Sequence, residues 1–236
     1  MLLLWWGYAQ IVPDYQLPGP WPVARRIATF LTDPVDMTQL GISLMHVSVA
    51  IALAFVIGCV LAGLAHYVAP LRLLIDGRLT PFLNAFSGIG WLFMAMLWFG
   101  LNDATVIFAV TLILVPFTVI NVRTGLQELD RDLLELGQSL TRSSFRRTVK
   151  IIAPLLLPYL FAALRTSFGV SWKVVLTAEL FGGNAGVGYL LNLARQEFDT
   201  ETIFAIIFFI LMFVAAAEIV IFRPIQRRLD RRFARA

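Results

Sequence analysis

The sequence predicts an all-α fold: a polytopic helical membrane protein with about six transmembrane helices, the first of them short, and one long cytoplasmic loop, in a single domain over residues 1–236. Composition, the length of the uncharged runs and the placement of the basic residues carry that prediction. Hydrophobic residues make up 59% of the chain and charged residues 14%, against roughly 45–50% and about 25% in a soluble domain. So few charges cannot clothe a soluble protein of this size, because Lys, Arg, Asp and Glu supply most of a solvated exterior. The same apolar content excludes a disordered chain, and a single cysteine excludes a disulfide scaffold. Cys59 lies inside an apolar run and reads as a small buried hydrophobe.

A spanning helix needs about 20 mainly apolar residues, since the hydrocarbon core is about 30 Å thick and a helix rises about 1.5 Å per residue. Five runs qualify. Residues 41–65 are uncharged, with His46 as their one basic ring; residues 82–101 and 104–122 are uncharged and separated by Asp103. Residues 151–179 contain Arg165, Lys173 and Glu179, and residues 202–222 contain Glu218. A sixth apolar run, residues 1–12, is too short to cross alone and reads either as a shortened or interfacial helix or as part of a longer one. It lacks the basic start and small-residue cleavage site of a signal peptide.

Basic residues assign the sides. Arg72 and Arg78, the six Lys and Arg of residues 123–150, and the six Arg from Arg223 onward account for 14 of the 19 basic residues. All three segments fall on one side if each run crosses once, so that side is cytoplasmic. The formal charge of +4 is therefore a topology signature and does not point to nucleic acid.

Residues 123–150 exceed the roughly 2–8 residues that usually join packed helices. Leu129, Leu133, Leu136 and Leu140 share one helical face. Thr141 or Ser143 is placed to cap a second short helix carrying Phe145, Arg146, Arg147 and Lys150. Pro154 and Pro158 follow early in the next apolar run, where a first helical turn tolerates the missing N–H. Two readings fit: an amphipathic helix on the inner leaflet, or a docking surface for a cytoplasmic partner.

The segment Glu135-Leu136-Gly137, three residues, Thr141, nine residues, then Ile151 and Pro154 resembles the cytoplasmic EAA motif of ATP-binding cassette (ABC) importer permeases. Spacing matches throughout; identity matches at Glu135, Ile151 and Pro154, while Leu136, Gly137, Thr141 and Ala153 depart from the pattern. Ile89-Gly90-Trp91 through Leu97-Trp98-Phe99-Gly100 resembles the I-A-W-x-P…L-W-F-G segment of the nitrate/sulfonate/taurine-type permeases, with Phe93 in place of the proline. Ala178-Glu179 with Gly186-Val187-Gly188-Tyr189-Leu190 resembles their A-E…G-x-G-Y-L segment, and Leu17-Pro18-Gly19-Pro20 their L-P-S-P element.

The resemblance implies an importer permease of a bacterial cytoplasmic (inner) membrane, not an enzyme. Leu133, Glu135, Leu136, Gly137, Thr141, Phe145 and Pro154 would couple the 128–150 loop to two ATPase subunits. No cofactor is expected in this chain: it has no G-x-x-x-x-G-K-[ST] segment to cradle phosphates, so ATP and Mg²⁺ belong to the ATPase. A second permease copy, in a homodimer, would complete the path, and a periplasmic or lipid-anchored binding protein would deliver a small, anionic solute. The alternative is a self-contained secondary transporter or channel. Arg165, Lys173 and Glu179 are the candidate path residues, because unpaired charges in lipid cost at least about 2.5–3.5 kcal/mol. The competing reading pairs Arg165 with Glu218 or backbone carbonyls and lets Lys173 reach outward toward Glu179. His46 and His66 are too far apart for a helical metal pair.

Overall fold

The computed structural model describes residues 2–13, 16–129, 143, 146 and 148–233, and every regular element among them is helical. Helix α1 (Leu2–Ala9) is followed by α2 (Pro20–Thr32) and the long α3 (Pro34–Tyr67). Then come α4 (Ala69–Ala85), α5 (Gly88–Phe99) and α6 (Asp103–Glu128). The rest comprises α7 (Thr148–Leu155), α8 (Leu157–Gly182), α9 (Val187–Gln196), α10 (Thr200–Ala217) and α11 (Arg223–Phe233).

Helix starts follow local chemistry. Asp33 Oδ1 accepts from Val35 N at 2.8 Å in front of α3, and Asn102 Oδ1 from Thr105 N at 3.1 Å at α6. Asp199 Oδ1 accepts from Thr202 N at 3.0 Å at α10. Each satisfies a backbone donor that a helix leaves open at its N-terminus. Helix α2, absent from the sequence-based expectation, starts with prolines in its first turn and buries Val23 and Phe30.

Three helical stretches are long and apolar enough to cross a membrane: Pro34–Tyr67, Asp103–Glu128 and Thr200–Leu229. They contain the expected runs 41–65, 104–122 and 202–222 and extend beyond them. The other two runs are bent. The expected run 82–101 is not one straight helix, because α4 meets α5 at 87°. Phe86 leaves the helix with ψ 133°, and Gly88 and Gly90, both weak helix formers, open α5. The run 151–179 bends by 57° between α7 and α8, where Pro158 lacks an N–H and its ring crowds the carbonyl four residues back. Counting each bent pair once gives up to five candidate crossings among the described residues. Helix α1, with eight residues, is about 12 Å long and does not reach across.

By its internal contacts the chain forms two compact units. The first comprises Met1–Val49, Gly88–Val110 and Trp172–Ile221; aromatic pairs fill its core, Phe30 with Phe209 at 5.2 Å and Trp172 with Phe213 at 5.1 Å between ring centres. The second comprises Ala50–Ser87, Thr111–Ser171 and Phe222–Ala236. Here Ala62, Val122, Leu126, Ile152 and Leu156 form a buried cluster, against which Cys59, Leu129, Tyr159 and Leu160 pack. Gly58 and Gly125 permit this packing: a Cβ would lie 2.5 Å from Thr118 at the first and 2.5 Å from the Tyr159 ring at the second.

Candidate functional site

In the first unit the last turns of α8 carry Glu179, which has no exposed surface. A buried carboxylate is tolerable only when hydrogen bonds replace the lost water, and this one has three donors. Ser43 Oγ lies 2.8 Å from both carboxylate oxygens, His46 Nδ1 lies 2.8 Å from Oε1, and Gly188 N donates to Oε2 at 2.8 Å. Ser43 and His46 sit three residues apart on α3 and therefore share a face. Both are fully buried.

The turn after α8 is moulded onto this carboxylate. Ser43 Oγ also accepts from Val187 N at 2.8 Å, and Gln39 Oε1 accepts from Gly186 N at 2.6 Å. Gly186 has φ +103°, and a Cβ there would stand 2.3 Å from Glu179 Cδ. A Cβ on Gly188 would stand 2.4 Å from the Leu176 carbonyl oxygen. Only glycine fits at these two places. The remaining His46 nitrogen, Nε2, faces Asp103 Oδ1 at 3.3 Å, with an angle outside hydrogen-bond geometry, and Asp103 is half exposed. The arrangement fastens the 183–188 turn to α3. Glu179, expected on a solute path, here holds a turn, with each carboxylate oxygen bonded inside the unit.

Lys173, one and a half turns earlier on α8, is exposed. Arg165 belongs to the second unit, is half-buried and donates to Gln226 Oε1. Gln226 lies 61 residues away and carries no charge to suggest it as a partner.

The second unit also builds the stem of the loop that resembles the EAA motif. Leu133, Glu135, Leu136, Gly137, Thr141 and Phe145 lie outside the described residues. The chain on either side is well placed: Val122, Leu126 and Leu129 before the loop pack with Ile152, Leu156 and Tyr159 after it. The Tyr159 hydroxyl donates to Glu128 Oε2 across the same two strands of chain. Pro154 lies in α7, three residues after Ile151. Ser143 Oγ accepts from Arg146 N at 3.4 Å, as a helix cap does. A further brace was not anticipated. Asp76, set by a π-type turn at Ile75–Leu79, receives Arg123 Nε at 3.2 Å and Nη2 at 2.6 Å. Arg123 is buried near the end of α6, so this two-pronged contact fixes the helix from which the loop departs.

Residues 54–235 match the family described as binding-protein-dependent transport system inner membrane component. Over 239 residues the chain is 25% identical to the taurine transport system permease protein TauC of Escherichia coli (strain K12), a match covering 97% of this chain and 85% of that protein. The putative aliphatic sulfonates transport permease protein SsuC of Bacillus subtilis (strain 168) is 27% identical over 199 residues, 84% of this chain and 72% of its own. The nitrate import permease protein NrtB of Leptolyngbya laminosa is 25% identical over 178 residues, 75% and 63% respectively.

Proposed function

Because the chain belongs to the family of binding-protein-dependent transport inner membrane components, a group of permeases and not of enzymes, we propose that it forms the path of an ABC importer for a small anionic solute. The observation that carries this reading is the family match over residues 54–235, which takes in both the loop stem and the Glu179 turn. The relatives' names support an acid-bearing solute: taurine, aliphatic sulfonates and nitrate all carry an anionic group at neutral pH. Arg165 and Lys173 are the cations proposed to attract it.

In this reading the 128–150 loop lies in the cytoplasm and rests in a groove of an ATPase chain, which holds ATP and Mg²⁺. Leu133 and Leu136 supply the apolar face, Glu135 a hydrogen-bond acceptor, and Gly137, Thr141 and Phe145 the turn and second short helix. The packed stem and the Arg123–Asp76 brace hold the two ends from which the loop departs, so motion of the ATPase is passed into α6 and α8 instead of being lost at the connection. Two permease copies and two ATPases complete the machine, with a solute-binding protein at the outer face. There the Glu179 cluster keeps the 183–188 turn in one shape. With the chain crossing once in each of these five stretches, the loop and the tail are cytoplasmic and the α2–α3 connection faces outside.

The test is assembly and turnover. The permease should copurify with an ATPase whose hydrolysis in lipid discs rises when solute-loaded binding protein is added. Solute uptake into vesicles by the isolated chain, without ATP, would establish the secondary transporter or channel instead.

A further inference from the structure

Helices α1, α2 and α10 enclose an open groove of about 530 Å³ lined almost wholly by apolar groups, among them Trp5, Trp6, Trp21, Ile27, Phe208 and Met212. Trp5 fixes one wall. Its ring stacks on Phe208 at 5.3 Å and its Nε1 donates to the Pro18 carbonyl at 3.2 Å. At Trp21 the groove adjoins a second one of about 370 Å³ with a different lining: Pro22, Arg25, Arg26, Thr29 and Glu201.

The two grooves lie at different depths. Arg26 Nε donates to Thr202 Oγ1 at 2.9 Å, so the polar groove sits at the first turn of α10, beside its Asp199 cap. Phe208 and Met212 lie seven and eleven residues beyond Glu201 on the same helix, which takes the apolar groove to about 16 Å below it. That is about half of a 30 Å hydrocarbon core, the depth of one leaflet. Trp21 lines both grooves and so occupies the level between, where amphipathic rings favour the membrane interface. A polar head above and an apolar channel one leaflet deep below make the shape of a phospholipid.

The charges specify the head. Arg26 is already engaged by Asp36 at 2.7 Å. Arg25 and Glu201 are exposed, and neither has an ion-pair partner among the described residues. One free cation and one free carboxylate on a single groove complement a headgroup bearing both a phosphate and a primary ammonium. We propose that this groove binds one phosphatidylethanolamine molecule, its phosphate on Arg25, its ammonium donating to Glu201 and an acyl chain along Trp21, Phe208 and Met212. Phosphatidylglycerol has no ammonium, and phosphatidylcholine has no N–H to donate. The site's identity does not depend on the transport reading; only the assignment to the outer leaflet rests on the orientation proposed above.

The full-length chain in mild detergent, mixed with equal amounts of phosphatidylethanolamine, phosphatidylglycerol and phosphatidylcholine of identical acyl chains, is examined by native mass spectrometry. Wild type should retain phosphatidylethanolamine about tenfold over the other two, the effect of one charge-assisted hydrogen bond. Glu201→Gln should erase the preference over phosphatidylcholine, and Arg25→Ala should reduce retention of all three about tenfold. Arg195→Ala, a cation outside the groove, should change nothing. Both groove substitutions remove exposed, unpaired groups, so a wild-type melting temperature is expected and is checked alongside. Equal retention of phosphatidylethanolamine in all variants, or preference for phosphatidylglycerol in the wild type, would overturn the assignment.

Discussion

Replacing Glu179 by alanine should release the 183–188 turn, and its cost can be worked from the bonds lost. The Gly188 amide and His46 Nδ1 both aim at the missing oxygens, at 2.8 Å each, from positions fixed by backbone and burial. A buried donor left without an acceptor costs about 1–3 kcal/mol, so the pair costs about 2–6 kcal/mol. Ser43 adds less, because its hydroxyl can rotate. Glu179→Gln keeps one carbonyl oxygen but turns an NH₂ toward a donor, so one bond is lost and the cost is about 1–3 kcal/mol. At about 2–4 °C per kcal/mol for a chain of this size, alanine should lower the melting temperature in detergent by at least about 4 °C, and glutamine by about half as much. Hydrogen–deuterium exchange should localise the effect, with the Gly188 amide losing protection in both variants while α6 keeps its own. If both variants melt within about 2 °C of wild type and Gly188 stays protected, the carboxylate does not hold the turn.

The remaining expectations concern particular contacts. Gly186→Ala combines φ +103° with a Cβ 2.3 Å from Glu179 and should match Glu179→Ala in melting temperature, whereas Gly63→Ala, with open space around it, should be neutral. Gly125→Val drives a side chain into the Tyr159 ring, 2.5 Å away, and should weaken copurification of the ATPase while membrane insertion persists; Tyr159→Phe, which removes only the bond to Glu128, should be milder. Arg165→Ala should cut transport and Lys173→Ala less so, both with an intact complex; unaltered transport at either position would remove that cation from the solute path. Glu135→Ala should leave the chain inserted but reduce transport-linked ATP hydrolysis, and unaltered hydrolysis would make Glu135 a solvated charge worth no more than about 0.5 kcal/mol.

Sequence reasoning recovers whatever is written in short-range composition. The crossings of α3, α6 and α10 follow from apolar runs of about 20 residues, close to or beyond the thickness of a bilayer, and no later packing can hide them. The 87° bend between α4 and α5 leaves no mark in apolar content, because it arises when Phe86 turns extended before Gly88. Helix α2 was within reach: Gly19-Pro20 is a start signal, and Val23, Ile27 and Phe30 recur at helical spacing. Glu179 stood out as an intramembrane charge, yet its partners Ser43 and His46 lie 136 and 133 residues upstream, a separation that spacing rules do not span. Gly186 and Gly188 stand in the sequence as part of the G-x-G-Y-L resemblance, with nothing there to mark them as the cradle of that carboxylate. Pro154 falls on the described stem, and the other EAA-like residues lie outside the described residues.

The coupling of this chain to an ATPase is tested most directly by ATP hydrolysis in lipid discs. Permease and ATPase are assembled with solute-loaded binding protein, and wild type is compared with Leu133→Asp, which places a charge on the apolar face of the 128–150 loop. Stimulated hydrolysis in the wild type, and its loss in Leu133→Asp with the permease still inserted and folded, is the expected result. Equal stimulation and equal ATPase copurification in both would contradict the coupling role and return the loop to the surface of the inner leaflet.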